Sequence, residues 1–161
     1  MVDLSVIIDS YDKLSKEYEE EAVKIDAKMK ELGKYLKNIR QLAVSQGDFY
    51  SYYQTLISRR RELRKFAASI IRPISKEKRK VLDSYKSGTQ KSIYVSDVTI
   101  LPKNDFERNV YLDDDMSEVL LVEKLVNDHM SYMTDNIDNM QRMILGIKYS
   151  IEMEKYRESM G

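Results

Sequence analysis

An apolar seam with alternating spacings of four and three residues runs through the first quarter of the chain. Its positions are Leu4, Ile8, Tyr11, Ser15, Tyr18, Ala22, Ile25, Met29, Leu32, Leu36, Ile39 and Ala43. This spacing keeps the seam on one helix face, as in a coiled coil, and Ser15 alone breaks it. A helix of about 40 residues would be about 60 Å long and would have to pack along another long helix. The pattern therefore predicts an elongated helical protein.

The composition also predicts a mainly α-helical fold. Five Gly and two Pro in 161 residues, 34 % charged residues and no Trp are typical of helical proteins. The length predicts one domain over residues 1–161. Without cysteine, the fold cannot depend on disulfides or thiolate metal sites. The N-terminus lacks a basic leader, and no apolar run approaches the roughly 20 residues that span a bilayer, so we expect a cytoplasmic protein and no membrane.

The first half of this domain is predicted to consist of helices. A long, coiled-coil-like helix covers 1–45 and stops at Gly47, where glycine favours a left-handed turn. Basic helices cover 49–87, where Pro73 is expected to end one helix and Gly88 to close the next.

The second half is predicted to contain an extended segment and a long C-terminal helix. Residues 90–112 form an extended or loop segment, with a short strand or hairpin near 91–101, where β-branched residues alternate loosely with others. A coiled-coil-like helix covers 113–158 and starts at Asp113 to Asp115, since carboxylates favour helix N-termini. Its seam is Val119, Val126, Met130, Met133, Ile137, Met140, Ile144, Ile147 and Ile151. Long seams of this kind predict a homo-oligomer.

The charges are strongly polarised along the chain. Between Arg59 and Lys91, twelve Lys and Arg stand against three acids, a net charge of +9, whereas the remaining residues hold 15 bases against 24 acids, a net charge of −9. We call the segment 59–91 the basic island. A concentrated positive segment attracts a polyanion such as nucleic acid.

The basic island also has tyrosines nearby, and bases paired at helical spacing. Arg60 and Arg64 are four residues apart, as are Arg61 and Lys65, so they form rows beside the seam, in which Arg59 itself lies. Cations that follow the phosphates, together with rings that stack on bases, are typical of single-strand binding. The candidate contacts are Arg60, Arg61, Arg64, Lys65, Lys76, Lys78, Arg79, Lys80, Tyr85, Lys86 and Lys91. Lys78, Arg79 and Lys80 are the strongest of these.

Catalytic and metal-binding patterns are absent from the sequence. It has one histidine, His129, and no phosphate-binding glycine loop, nucleophile elbow or His-Glu-x-x-His pair. We interpret His129 as a residue that flanks the helix seam. Asp113 to Asp115 lack the alternating ligands and the glycine of a calcium loop, so they are interpreted as capping residues. We expect neither an enzyme, nor a cofactor, nor a metal site.

Two stretches in the second half of the chain carry a resemblance to a known family. One runs from Lys78 to Gly88 and reads Lys-Arg-Lys-Val-Leu-Asp-Ser-Tyr-Lys-Ser-Gly; the other runs from Ile147 to Tyr156, reads Ile-Lys-Tyr-Ser-Ile-Glu-Met-Glu-Lys-Tyr, and closes on Gly161. They resemble the basic helix and the C-terminal helix of the UvsY family, the recombination mediators of T-even-like phages.

The resemblance implies an oligomeric, non-enzymatic phage protein that binds single-stranded DNA. Such a protein contacts a single-stranded-DNA-binding protein and a RecA-like recombinase, and helps the recombinase filament to nucleate. Its place would be the cytoplasm of an infected host cell, in DNA recombination, repair and replication. By position, Arg79 and Lys80 would contact the DNA.

Two alternatives do not need this resemblance. Long seams and methionine packing would also suit a helical scaffold or virion structural protein that binds no nucleic acid. Asp48-Phe49-Tyr50 and the basic helix after them are similar to the helical domain of the GINS replication scaffold.

Overall fold

The computed structural model of the protein describes residues 3–99 and 101–161. These residues are 85 % helical and include no strand. The helices are α1 (Ser5–Asp9), α2 (Tyr11–Tyr35), α3 (Ile39–Ser87), α4 (Asp105–Asp115) and α5 (Ser117–Met160). The prediction of a mainly α fold is confirmed. Within the described part of the chain, no helix has an apolar stretch long enough to cross a membrane.

The helices pack into two compact units. Unit 1 combines Met1–Ser15 with Lys65–Asp128, and unit 2 combines Lys16–Arg64 with His129–Gly161. Helices α3 and α5 therefore contribute residues to both units. The two units are defined by packing, whereas a domain is defined by independent folding. The prediction of a single domain over 1–161 is therefore not tested by this division and stays a prediction.

Unit 2 has a core of aliphatic, methionine and phenylalanine side chains from α2, α3 and α5. Helices α2 and α3 lie antiparallel, since Glu21 pairs with Arg59 and the Lys28 ammonium lies 6.0 Å from the centre of the Tyr52 ring. The buried core members are Ile25, Leu32, Leu42, Phe49, Leu56, Leu63, Met133, Ile137, Met140 and Ile147. Most of the predicted seam positions of α5 are thus occupied by packing within the chain.

The single helix predicted over 1–45 is wrong, because α2 ends at Tyr35 and α3 begins at Ile39. The Oδ1 atom of Asn38 accepts a hydrogen bond from the backbone N–H of Arg40 at 3.0 Å, a contact typical of an N-cap. The break also shifts the seam: Ile39 is exposed, whereas Leu42 is buried. A capping side chain that favours a new helix start therefore overrides the continuous apolar pattern.

Helix α3 continues through Gly47 and Pro73, so the helix ends predicted at both residues are wrong. The same face is buried on both sides of the proline, by Ile70 and Ile74, and this packing offsets the roughly 3 kcal/mol that an interior proline costs. The prediction that Gly88 closes the helix is confirmed. Gly88 follows the last residue of α3 and has a φ of +67°, which side chains other than glycine disfavour.

The strand or hairpin predicted near 91–101 does not form among the described residues; Ile100 lies outside them. The chain there makes turns and bends. The backbone carbonyl of Val95 accepts its hydrogen bond from a side chain rather than from a neighbouring strand. The Nε2 atom of Gln90 donates to that carbonyl at 2.8 Å. Local side-chain bonds of this kind compete with a strand ladder.

The predicted N-terminus of the last helix is also displaced. Asp113 to Asp115 form the end of α4, and α5 begins at Ser117. Helix α4 starts earlier because Asn104 caps it, accepting from the backbone N–H of Glu107 at 2.9 Å, while the Glu107 carboxylate accepts from the N–H of Lys103 at 2.6 Å. This arrangement differs from a capping box only in that the Glu107 carboxylate accepts from the residue before the N-cap rather than from the N-cap itself.

Candidate nucleic-acid interface

Five exposed bases of unit 1 lie along one face of α3. They are Lys65, Arg72, Lys76, Arg79 and Lys86, and we call them the basic stripe. At 3.6 residues per turn they fall within about 40° of a common line, and they extend over about 30 Å of helix. One acid, the exposed Asp83, lies in the same row.

The buried face of α3 in unit 1 lies opposite the basic stripe. It comprises Ala67, Ile70, Ile74, Glu77, Val81, Ser84 and Tyr85. Apolar packing therefore fixes the rotation of the helix and holds the stripe toward solvent. Among the described residues, no member of the stripe has an ion pair or a hydrogen bond through its side chain. The five charges are thus available to an external anion.

Lys78 and Lys80, two of the strongest sequence candidates, are paired inside unit 1. The Nζ of Lys78 donates to Oε1 of Glu123 at 2.7 Å, and both side chains are largely buried. The Nζ of Lys80 lies 3.3 Å from Oε2 of Glu77, whose residue is 0 % exposed. Both lysines are paired with carboxylates of unit 1, so only Arg79 of that trio belongs to the stripe.

Glu77 also anchors the segment that follows α3. Its Oε1 accepts a hydrogen bond from the hydroxyl of Ser92 at 2.7 Å. The hydroxyl of the buried Ser84 accepts from the backbone N–H of Lys91 at 2.8 Å. Lys91, another candidate, is thus held by its backbone, and its side chain is exposed.

Tyr85, the aromatic candidate, is only 4 % exposed. Its hydroxyl donates to the Asp115 carboxylate, and its ring centre lies 6.1 Å from that of Tyr111. Burial and the neighbouring Asp115 raise the pKa of Tyr85. The ring has no open face for a base, so we leave Tyr85 out of the proposed interface.

The remaining candidates lie on the unit 2 part of α3. Arg61 and Arg64 are exposed, and Arg60 is partly buried. The structure describes no side-chain partner for any of the three. Tyr50, on the same segment, is exposed, and its ring centre is 6.4 Å from that of Tyr53. Arg61 and Arg64 therefore form a second exposed basic group, next to the partly buried Arg60.

Arg72 is a stripe residue that sequence reasoning missed. It follows Lys65 by seven residues and precedes Lys76 by four, which is helical spacing. The helix end predicted at Pro73 separated Arg72 from Lys76 and so hid this spacing. Continuing the helix through the proline would have shown the stripe.

Unit 2 contains a polar cluster that the sequence indicated only through Arg59 in an apolar seam. Oε2 of Glu21 accepts from Nε of Arg59 at 2.5 Å, and its Oε1 lies 2.8 Å from Nε2 of His129. The hydrogen bond to Glu21 raises the pKa of Arg59, so the guanidinium of Arg59 stays protonated. His129, 8 % exposed, stacks on the Tyr18 ring with centres 4.7 Å apart.

This cluster is an arrangement of paired side chains rather than an open site. Tyr132 donates to the Asp26 carboxylate at 2.6 Å, and burial and that bond raise its pKa. Among the described residues, no group of three or more His, Cys, Asp and Glu could hold a metal ion. The cluster joins α2, α3 and α5 of unit 2.

A scan against protein-family models finds no match, and searches of the curated proteins and of the solved structures find none either. The resemblance to the UvsY family stays a prediction from the two sequence stretches.

Proposed function

We propose that the protein is a non-enzymatic mediator that binds single-stranded DNA and helps to assemble a recombinase or replication complex on it. The observation that carries the proposal is the basic stripe, five exposed cations on one face of α3 in unit 1 that have no side-chain partner among the described residues. A row of cations can bind the phosphates of a nucleic-acid backbone, and contacts to them do not depend on sequence.

Self-association is part of the proposal, and it needs a surface other than the buried seams. The C-terminal part of α5 offers one: Tyr149, Met153, Tyr156 and Met160 are all exposed and recur at spacings of four and three residues. Helix residues with no packing partner are marginal in water, which favours pairing with a second copy. Several stripes in one assembly would raise the affinity through effective concentration.

The resemblance to the UvsY family supplies the proposed partners. They are single-stranded DNA, a RecA-like recombinase and a single-stranded-DNA-binding protein, and the proposed place of action is the cytoplasm of an infected host cell. A helical scaffold or virion structural protein is the second candidate, because the exposed apolar surface at the C-terminal part of α5 would serve assembly equally well without DNA.

Binding of a fluorescent single strand at increasing salt separates the two candidates. Five phosphate contacts predict a log-log slope of about −3.5 for a single strand. Replacing Arg72, Lys76 and Arg79 by alanine should make the slope shallower by about 2. The charge-matched control replaces the exposed Lys24, Lys30 and Lys34 of α2 and should leave the slope unchanged. Absence of binding at low salt favours the scaffold.

A further inference from the structure

We infer that the basic stripe binds the sugar-phosphate backbone alone and leaves the bases of the strand facing away from the protein. This inference rests on the proposed function and names the part of the ligand that is recognised. The stripe face of α3 carries Lys65, Ser69, Arg72, Lys76, Arg79, Asp83 and Lys86. None of these is aromatic, so this face of α3 offers a bound strand no ring on which a base could stack.

The aromatic residues of α4 lie away from the basic stripe. Tyr85 points into the core on the opposite face of α3, and Tyr111 of α4 packs beside it. Asp115 at the end of α4 accepts the Tyr85 hydroxyl. Helix α4 therefore covers the core side of α3, and its exposed Phe106 belongs to a groove with Leu101 and Val110 rather than to the stripe.

Phe66 is the exposed aromatic residue nearest to the stripe in sequence. It is 43 % exposed and directly follows Lys65. Successive helix residues differ by about 100° in direction, so Phe66 points well to the side of the stripe. This makes Phe66 the best test of whether a ring contributes.

A preference for single strands arises here without stacking. The stripe is a nearly straight row of charges, and a flexible single strand can follow it phosphate by phosphate. A duplex has a persistence length of about 50 nm, and its phosphates wind around the axis, so few of them can lie along a straight row. Bases left free would stay open to pairing or to a second protein, as a mediator requires.

The test compares three fluorescent ligands of equal length by anisotropy: a normal single strand, a strand with abasic residues throughout, and a duplex. The full-length protein should bind the normal and abasic strands with dissociation constants within about twofold of each other, because stacking contributes nothing. The duplex should bind more weakly. Phe66→Leu, which removes the ring but keeps apolar volume, should bind as the unchanged protein does.

The possible results separate this inference from the proposed function. Loss of even one stacked base weakens binding by roughly five- to 150-fold. A loss of that size for the abasic strand, or with Phe66→Leu, overturns backbone-only binding while DNA binding itself stands. A duplex that binds as tightly as the single strand overturns the argument from flexibility. If the normal strand fails to bind at low salt, the proposed function is overturned.

Discussion

Replacing Glu21 by alanine should destabilise the protein far more than the same change at the adjacent Glu20. Glu21 holds both Arg59 and His129, whereas Glu20 is exposed and lies 3.9 Å from the exposed Lys16. The two positions share a helix, a residue type and a charge. They differ in the partners that the structure assigns to them.

The size of the effect follows from the exposure of each partner. The His129 side chain is 10 % exposed, and leaving its ring nitrogen without a partner costs about 1 to 3 kcal/mol. The Arg59 side chain is 40 % exposed, so solvent screens its pair with Glu21, which adds at most about 1 kcal/mol. We therefore expect Glu21→Ala to lose about 1 to 4 kcal/mol and Glu20→Ala less than about 0.5 kcal/mol.

Urea unfolding followed by circular dichroism measures both losses. For a chain of this length, the Glu21→Ala loss corresponds to a fall in melting temperature of about 2 to 16 °C. In a His129→Phe background the same change should cost less, since one of the two partners is already gone. Equal losses for Glu20→Ala and Glu21→Ala would refute the assigned pairing.

Three further predictions test other parts of the structure. Gly47→Ala should raise the free energy of unfolding by about 0.5 to 1 kcal/mol, because Gly47 is inside α3 and an added methyl group would meet only open space. Gly88→Ala should lower the free energy of unfolding by about 1 kcal/mol, because Gly88 has a φ of +67°. The raised pKa of Tyr85 contributes stability that is present below about pH 10 and lost as pH rises through the folded pKa; Tyr85→Phe should flatten this alkaline loss in pH-dependent urea unfolding. Tyr156→Lys should reduce the mass seen by light scattering, and an unchanged assembly would exclude the α5 surface.

Periodicity predicts the long C-terminal helix well but gives less information about where helices stop. The positions from Met133 to Ile147 recur in phase, and most are buried, because a repeated apolar face needs only one packing partner. Helix ends depend on single capping bonds, such as those of Asn38 and Asn104, which compete with neighbouring signals of similar strength. At Pro73, burial of the same helix face on both sides of the residue, by Ile70 and Ile74, outweighs the local signal to end the helix.

In the candidate site, too, the sequence pattern predicts where the charges are but not which of them are paired. Sequence locates the basic island, because charge density is a local property. It cannot show that Lys78 is bound to Glu123, 45 residues away, or that Glu77 is buried beside Lys80. Pairing across the fold decides which charges remain for an outside ligand.

The salt dependence of binding can therefore show how the basic island is used. The basic stripe alone predicts a slope of about −3.5 per bound protomer for a single strand. If Arg60, Arg61, Arg64 and Lys91 also bind phosphates, nine contacts predict about −6. All twelve bases would give about −8, but that would require Arg59, Lys78 and Lys80 to leave their carboxylates, which their short contacts oppose. A slope near −8 would thus contradict the paired interior, whereas one between −3.5 and −6 would identify the unpaired bases as the binding charge.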